Sequence, residues 1–407
     1  MRAFYQVFKS ELRTIFADRG VLLVFLGAVV IYSFFYPIPY LPQVLRDVPI
    51  AVVDQDQSAL SRKLIRMSDA SELLRVECLA STVLEAEDLV KAGRIGGLMV
   101  IPKGFERDVA RGMQAKVGVY ADAGYFLVYR QAMTGMVTVV RTLSAGVEVR
   151  RLQAGGRMAH QAMAAQRPLQ LITTPLFNPA EGYASYIVPA ILVLILQQTL
   201  LIGIGMLGGT AYETRTTIEG ADSGLLAAIL GKTAAYLGLY AVNALYYLFV
   251  VFGIYGFSRR GEALAVLAFL LPFLLSIILL GLTLAGLFRR REDAIHGLLI
   301  VSLPAVFLAG FSWPVEGIPQ WLRWISFLLP STAGIEGFLM IQEMGATLRA
   351  VRVEWLILWG LCFLYFLTAC ISMRRQVSAW KAGCPAENRL GGSATGESQG
   401  IPGADQP

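Results

Sequence analysis

The chain has 407 residues, of which 56% are hydrophobic and 16% are charged, and its mean hydropathy is +0.58. This composition excludes an ordinary soluble globular protein and indicates an integral membrane protein. The formal net charge of +6 comes largely from lysines and arginines that flank apolar stretches, the usual means of orienting membrane helices. These basic residues do not form an aromatic-studded groove, so we expect no binding to nucleic acid.

The sequence contains no motif of a catalytic or metal centre. The four cysteines show no metal-ligand spacing, and the two histidines, His160 and His296, are too few for a histidine-based site. There is no GxxxxGK[ST] phosphate loop, no HExxH and no GxSxG motif. We therefore expect no catalytic residue, no metal and no cofactor bound by this chain, and no nucleotide hydrolysis can be assigned to it.

Residues 1–40 combine an amphipathic segment with a first membrane span. Met1–Phe16 has helical periodicity, and its polar face includes Lys9 and Glu11. Such a helix lies in the membrane interface or packs on the protein's own surface. Val21–Tyr36 is the first predicted span, and no small-residue cleavage site follows it. Because basic residues precede this span, we place the N-terminus in the cytoplasm.

Residues 41–183 form a polar region of domain size. Short β-rich runs alternate with helical patterns, starting with VPIAVVD at 48–54. This alternation predicts an extracytoplasmic α/β domain with a partly parallel sheet, followed by long return helices. Asp54, Asp56 and Ser58 follow the first strand. They form either a cation-binding cluster or, in the interpretation that we favour, the turn and helix cap after a buried strand.

Residues 184–375 contain the other predicted spans, which makes the chain an α-helical integral membrane protein with six transmembrane helices and both termini in the cytoplasm. These spans are Tyr186–Leu207, Ala234–Tyr255, Leu264–Leu287, Ile295–Phe311 and Trp355–Met373. Residues 376–407 are rich in Gly, Ser, Pro and Glu, and we predict that they form a disordered cytoplasmic tail.

The second span carries four candidate functional residues. Gln197 and Gln198 lie near its middle, where side-chain amides need partners, and they either hold helices together or line a substrate path. Gly205 and Gly209 form a GxxxG pattern, which allows another helix to approach closely.

Residues 312–342 are divided by prolines into pieces too short to cross a membrane. We therefore predict short re-entrant helices that dip into the membrane from outside. The candidate residues of this segment are Trp313, Pro314, Glu316, Pro319 and Glu336.

The order of these features resembles a known family. After the first span, the polar region opens with VPIAVVDQDQSALSRKLI and contains GGLMVIPKGFERDVARG. The second span brings NPAEGYASYIVPAILVLI, and FLAGFSWPVEGIPQWLRWISFLLPSTAGIEGF follows the fifth. Over about residues 1–375, the chain resembles the ABC-2 type permeases, the membrane subunits of bacterial ABC exporters, in the variant with a large external domain after the first helix.

This resemblance implies partners and a contact segment. The permease would sit in the bacterial inner membrane as a homodimer, or as a heterodimer with a similar permease. It would bind a cytosolic ATPase subunit that uses ATP and Mg, and possess an external domain that guides substrate or docks a periplasmic adaptor. Segment 212–232 would be the coupling helix, with Thr216 in place of the family's glycine and without its Thr-Pro pair. The candidate coupling residues are Glu213, Arg215, Thr217, Glu219 and Lys232.

The sequence therefore predicts the permease subunit of an ATP-driven exporter. Few polar side chains lie in the spans, which favours a lipophilic or amphiphilic substrate entering from the lipid bilayer. One alternative is a membrane-anchored scaffold that binds a surface component and transports nothing. Another is a secondary transporter, which would need an ionisable residue deep in a span; the polar residues there are mainly Gln197, Gln198 and Asn243.

Overall fold

The computed structural model describes residues 1–169, 171–179, 181–214 and 224–383. The chain divides into two compact units. Met1–Leu41 and the chain from Tyr183 onwards form the membrane unit, and Pro42–Gly182 forms the second unit, which we call the insert. In chain order the helices are α1 Arg2–Ala17, α2 Arg19–Tyr40, α3 Ala59–Asp69, α4 Val83–Lys91, α5 Phe105–Ala110, α6 Phe126–Ala154, α7 Ala159–Gln166, α8 Tyr183–Glu213, α9 Leu225–Tyr255, α10 Ala263–Ala285, α11 Arg291–Leu308, α12 Gln320–Ser326, α13 Pro330–Gln342 and α14 Arg352–Gly383.

Among the described residues, five helices of the membrane unit (α2, α8, α9, α10 and α14) are long and apolar enough to cross a membrane. The pair α12–α13, bent by 84°, is a re-entrant loop or a broken span, and would be the sixth in the latter case. The predicted span Ile295–Phe311 corresponds to α11, which has 18 residues. Because its first turn is charged and its length is about 27 Å, α11 falls short of the roughly 30 Å hydrocarbon core.

Helix α8 is the centre of the membrane unit. Of its most apolar stretch, 78% is buried inside the chain, against 28% for α2 and for α14. A helix that is apolar all round is suited to this position, since every side meets another helix or lipid. Helix α14 extends further than predicted: residues 376–383 continue it and are not a disordered tail, while 384–407 lie outside the described residues.

The insert contains a four-stranded sheet in the order β2-β1-β3-β4. Its strands are β1 Val48–Asp54, β2 Leu74–Leu79, β3 Gly97–Ile101 and β4 Gly118–Ala121. Strand β1 is parallel to β2 and β3, and β4 is antiparallel to β3. Alternate residues of β1 point to opposite faces, so Ile50 and Val52 pack with Leu64 of α3 and Met136 of α6 on one side. Ala51 and its neighbours meet α4 on the other side.

Asp54, Asp56 and Ser58 are occupied by turn and cap contacts. Asp54 accepts hydrogen bonds from the backbone of its own loop, and Ser58 caps α3. The Asp56 carboxylate accepts from the backbone N–H groups of Gly104 (2.7 Å) and Glu106 (3.0 Å), and thus caps α5 from a distant part of the chain. These contacts match the turn-and-cap interpretation, because the carboxylate oxygens satisfy backbone donors.

We expect Asp56→Ala to lower the free energy of unfolding of the insert by about 1 kcal/mol, the usual cost of losing a helix cap. Hydrogen bonding, first from the Glu106 backbone, holds the pKa of Asp56 below its ordinary value. The carboxylate therefore contributes fully above the unfolded pKa of about 4, and its contribution is lost as pH falls through the lower folded pKa. Pulse proteolysis of the full chain at pH 7 and below pH 4 measures both effects. Glu87→Ala, at an exposed position of α4, is the matched control and should change stability by less than about 0.5 kcal/mol.

Candidate functional site

Helix α1 packs on α9 through one stripe of its surface. Val7, Glu11 and Ile15 are spaced four residues apart and therefore share a face, and they are only 2%, 4% and 0% exposed. Gly231 in α9 permits the close approach, because a Cβ atom there would lie 2.9 Å from the Cβ atom of Val7. The assignment of Glu11 to a solvated polar face is wrong, because its position four residues from both Val7 and Ile15 puts it on the buried stripe.

The buried carboxylate of Glu11 has two partners on α9. It forms an ion pair with Lys232, whose Nζ lies 2.5 Å from Glu11 Oε2, and it accepts a hydrogen bond from the hydroxyl of Tyr236. The Lys232 side chain is 21% exposed. A charge can be buried at tolerable cost only when it is paired and hydrogen-bonded. Lys232, predicted to contact an ATPase, is thus engaged within its own chain.

A second ion pair lies where α1 ends. Asp18 Oδ1 accepts from the backbone N–H groups of Gly20 (2.9 Å) and Val21 (3.0 Å), which caps α2. Arg291, at the start of α11, donates to the same carboxylate through both terminal nitrogens, at 2.5 and 2.9 Å. This bidentate pair is the strong form of a charged hydrogen bond. The Arg291 hydrogen bond is the main reason that the pKa of Asp18 lies below its ordinary value.

Helix α8 reaches the start of α11 from another direction. A Cβ atom at Gly209 would lie 2.5 Å from the carbonyl oxygen of Arg290, and one at Gly205 would lie 3.0 Å from the Cβ atom of Ala294. The GxxxG pattern therefore faces α11 of the same chain, with backbone against backbone at Gly209. Glu213, the exposed last residue of α8, adds to the effect of Asp18 in raising the pKa of Arg291.

Together these contacts link α9 to α1, the end of α1 to α11, and α11 to α8. We call this set of contacts the brace: the ion pairs Glu11–Lys232 and Asp18–Arg291, together with the packing of Gly209 on α11. The segment between α8 and α9 includes residues 215–223, so the predicted coupling residues Arg215, Thr217 and Glu219 lie outside the described residues. Both helices that border this segment belong to the brace. Helix α9 is linked to α1 by Glu11–Lys232, and α8 is linked to α11 by the packing of Gly209.

Helices α2 and α9 are also joined along the membrane by polar contacts. Asn243, which is 4% exposed, donates to the carbonyl of Phe25 at 2.8 Å. Phe25 lies in a π-helical turn, where the regular backbone hydrogen bonds are rearranged. Tyr247 donates to the carbonyl of Val29 at 3.1 Å. With Glu11–Lys232 these contacts hold α1, α2 and α9 together as one block.

The predicted substrate-path residues Gln197 and Gln198 do not line the crevice that the described residues of α8, α9, α10 and α13 form. Gln197 is 1% exposed and its Oε1 has no hydrogen-bond partner among the described residues, while Gln198 is half-buried. This crevice, lined by residues such as Leu196, Tyr247 and Phe338, measures about 10 Å³, room for about one water molecule. Each candidate residue of the re-entrant segment is exposed. These are Trp313, Pro314, Glu316, Pro319 and Glu336.

The packing of Gly209 predicts a steric result. We expect Gly209→Ala to lower the free energy of unfolding by at least about 1 kcal/mol, since the new methyl group forces α8 away from Arg290. Gly238→Ala, in α9, is the matched control because, apart from its chain neighbours and the backbone of its own helix, no atom lies within 4 Å of its Cβ position. It should be neutral or stabilising, as alanine favours a helix over glycine by about 1 kcal/mol. Thermal unfolding of the two detergent-solubilised variants makes the comparison, and equal midpoints would contradict the close approach.

Comparison with known proteins decides the family. Residues 19–371 match the family described as ABC-2 family transporter protein. The chain belongs to this family. The predicted membership of the ABC-2 permease family is therefore confirmed, and the chain is a multi-pass membrane protein of the transport permease class.

Several relatives are named transport permeases. The chain is 25% identical to the inner membrane transport permease YhhJ of Escherichia coli K12 over 390 residues, 93% of this chain and 98% of the relative. It is 22% identical to the linearmycin resistance permease protein LnrN of Bacillus subtilis 168 over 82% of this chain and 88% of the relative. Over 60% of this chain and 63% of the relative, it is 24% identical to the probable multidrug ABC transporter permease YbhS of E. coli K12.

Proposed function

We propose that this ABC-2 permease is the membrane subunit of an ATP-driven exporter, and that the segment between Glu213 and Leu225 receives the movement of a separate cytosolic ATPase. The observation that carries the proposal is the brace. Both helices bordering the segment are tied to it, by Glu11–Lys232 on one side and by the packing against Arg291 on the other. A push on the segment therefore reaches α1, α2 and α11 together.

The two ion pairs suit this role because they are directional and partly buried. Side-chain exposures are 21% and 5% for Lys232 and Glu11, and 28% and 19% for Arg291 and Asp18. Ion pairs that are shielded from water hold a fixed geometry better than exposed ion pairs, which contribute little to stability. The braced helices α1, α2, α8, α9 and α11 can then move together relative to α10 and α14, the kind of movement that alternates access across a membrane.

The substrate path in this proposal lies between two permease chains. The crevice lined by Leu196 and Tyr247 is too small for a ligand, whereas the surface of α11 leaves apolar side chains exposed, including Ile300 at 74% and Leu303 at 64%. A large exposed apolar surface meets lipid or a partner. A second permease facing this surface would enclose an apolar path for a lipophilic substrate, in keeping with relatives named for linearmycin and multidrug resistance.

The proposed arrangement in the membrane follows from charge. Basic residues concentrate near α1 and the start of α11, the side that carries the brace, so this side and both termini would face the cytoplasm. The insert follows α2 and precedes α8, so it would lie on the opposite side, outside the inner membrane. The brace and the coupling segment would then meet the ATPase in the compartment that contains ATP and Mg.

Co-purification tests the contact with the ATPase. We expect charge reversal of Glu213, Arg215 and Glu219 together to abolish recovery of a co-expressed ABC ATPase subunit, and with it substrate export from proteoliposomes. Reversal of exposed Glu87 in the insert is the control and should leave both unchanged. If the triple variant binds the ATPase and transports normally, this segment is not the point of coupling.

A further inference from the structure

The positive charge of the insert is concentrated on the hairpin formed by α6 and α7. Residues 126–167 contain six arginines and one acidic residue, Glu148, which gives this stretch a net charge of +5. Residues 42–125 contain eleven basic and twelve acidic residues, a net charge of −1. The hairpin is therefore strongly positive, whereas the preceding part of the insert, residues 42–125, is nearly neutral.

The start of α6 lies at the end of the insert where the chain comes in and leaves. The two chain ends of the insert lie together, since a Cβ atom at Gly182 would lie 3.0 Å from the Cβ atom of Gln43. Val48, the start of β1, follows Gln43 after at most about 18 Å of chain. Val128 of α6 lies beside Val48, because a Cβ atom at Gly96 would meet both, at 2.5 and 3.0 Å.

The other end of α6 lies at the far end of the insert. Helix α6 has 29 residues and is about 43 Å long. Arg151, near its end, lies beside Gly112, where a Cβ atom would be 3.0 Å from the guanidinium. Gly112 follows α5, beyond the carboxyl end of β3. The hairpin thus places its turn away from the chain ends that continue into the membrane unit.

Five basic residues lie on the chain segments that border this far end, which we call the basic tip. Its members are Arg111, Lys116, Arg150, Arg151 and Arg157, all exposed. Within the part of the chain that the structure describes, none of them lies within ion-pair distance of a carboxylate. Unpaired like charges at one end of a domain repel one another, so an opposite charge supplied by a partner would be attracted to them.

We propose that the basic tip docks an acidic surface of another protein in the compartment that the insert faces. Arginine and methionine are enriched in protein interfaces and lysine is depleted. The hairpin follows this pattern, as α6 and α7 contain no lysine and Met158 and Met163 are 66% and 57% exposed. Met158 directly follows Arg157 of the tip, and an exposed methionine gives an adaptable apolar contact.

Other occupants fit less well. No Phe, Tyr or Trp occurs between residues 130 and 176, so the end of the hairpin at the basic tip lacks the aromatic platforms on which single-stranded nucleic acids stack. A second copy of this chain would bring positive charge against positive charge.

Site-specific photo-cross-linking in intact cells tests this docking. A benzophenone residue is placed at exposed Gln153 of the full-length permease, with exposed Glu87 on α4 as the control position. We expect a protein adduct at 153 and none at 87. Arg150→Glu with Arg151→Glu should lower its yield by roughly tenfold or more, because like charges across an interface repel. Arg150→Lys with Arg151→Lys keeps the charge and should retain most of the yield.

The partner identified from the adduct is then purified and tested on the permease in nanodiscs. Reversing acidic residues on the partner should restore its binding to the Arg150→Glu, Arg151→Glu permease. A lipid or nucleic-acid adduct, no adduct, or a yield independent of charge would each overturn the proposal. ATPase binding and ATP hydrolysis should not change in the tip variants, which separates failure here from failure of the exporter assignment.

Discussion

Lys232→Met lowers the free energy of unfolding of the membrane unit by about 3 kcal/mol, because it leaves the buried carboxylate of Glu11 without its counter-charge. Tyr236 still donates one hydrogen bond to that carboxylate, but a neutral hydroxyl does not replace an ammonium group. The measurement is thermal unfolding of the purified permease in detergent, followed by tryptophan fluorescence. We expect a fall of several degrees in the midpoint and loss of ATP-driven export.

A double variant distinguishes the contribution of the Glu11–Lys232 pair to stability from its role in linking ATP hydrolysis to export. Glu11→Leu with Lys232→Met removes both charges, and replacing a buried ion pair by apolar groups is often neutral. Most of the lost stability should therefore return, and the two single variants complete a double-mutant cycle with a coupling energy of about 1–3 kcal/mol. If the brace transmits movement, the stable double variant hydrolyses ATP with its partner but exports at least about tenfold less substrate per ATP. Wild-type export by this variant would rule out a role for the pair in coupling.

The sequence was sufficient for five of the six predicted spans, all but Ile295–Phe311, because a long run of apolar residues has few alternatives to a membrane helix. The order of strands and helices in the insert was also readable, since VPIAVVD and GGLMVIP are apolar runs bounded by turn residues. The contacts of Asp54 and Ser58 followed from their place between a buried strand and a helix. In each case the deciding interaction is local or is set by hydrophobicity alone.

The brace was not predicted, because its partners are far apart in the chain. Glu11 and Lys232 are 221 positions apart, and Asp18 and Arg291 are 273 apart. Periodicity alone placed Glu11 with the polar residues of α1. One signal was available: a charged residue four positions from both Val7 and Ile15 lies on an apolar stripe, where it needs a partner. Arg291 was not singled out because it belongs to a run of three arginines, and the orientation of the chain in the membrane is enough to explain such a run.

The glycines of α8 illustrate a different limit. The GxxxG pattern indicates that a helix approaches closely, but it does not say whether that helix belongs to the same chain. Gly209 lies against Arg290 at the start of α11, so the GxxxG pattern packs two helices of the same chain against each other. Its partner could not be chosen from sequence because α11 has a charged first turn and looks like the end of a loop. The structure shows that this charged turn is itself a packing surface.

Asp18→Asn should uncouple ATP hydrolysis from export while leaving α2 capped. Asparagine still accepts hydrogen bonds from Gly20 and Val21 in place of the carboxylate, but it cannot form the bidentate ion pair with Arg291. Losing a partly buried charged hydrogen-bond pair costs about 2 kcal/mol. We expect a matching fall in stability at pH 7 and a several-fold fall in substrate exported per ATP. Arg291→Gln should have a similar effect, since it removes the other half of the pair.

Two comparisons decide whether the ion pair itself is responsible. Arg289→Gln removes an exposed arginine from the same basic run, so unchanged stability and export are expected from it, and a loss equal to that of Arg291→Gln would assign the effect to net charge. The second comparison is pH. Because Arg291 holds the pKa of Asp18 below its ordinary value, the pair contributes fully above the unfolded pKa of about 4 and is lost as pH falls through the folded pKa. The stability difference between the wild-type chain and Asp18→Asn must therefore narrow below about pH 4; a difference that stays constant would mean that Asp18 acts only as a cap.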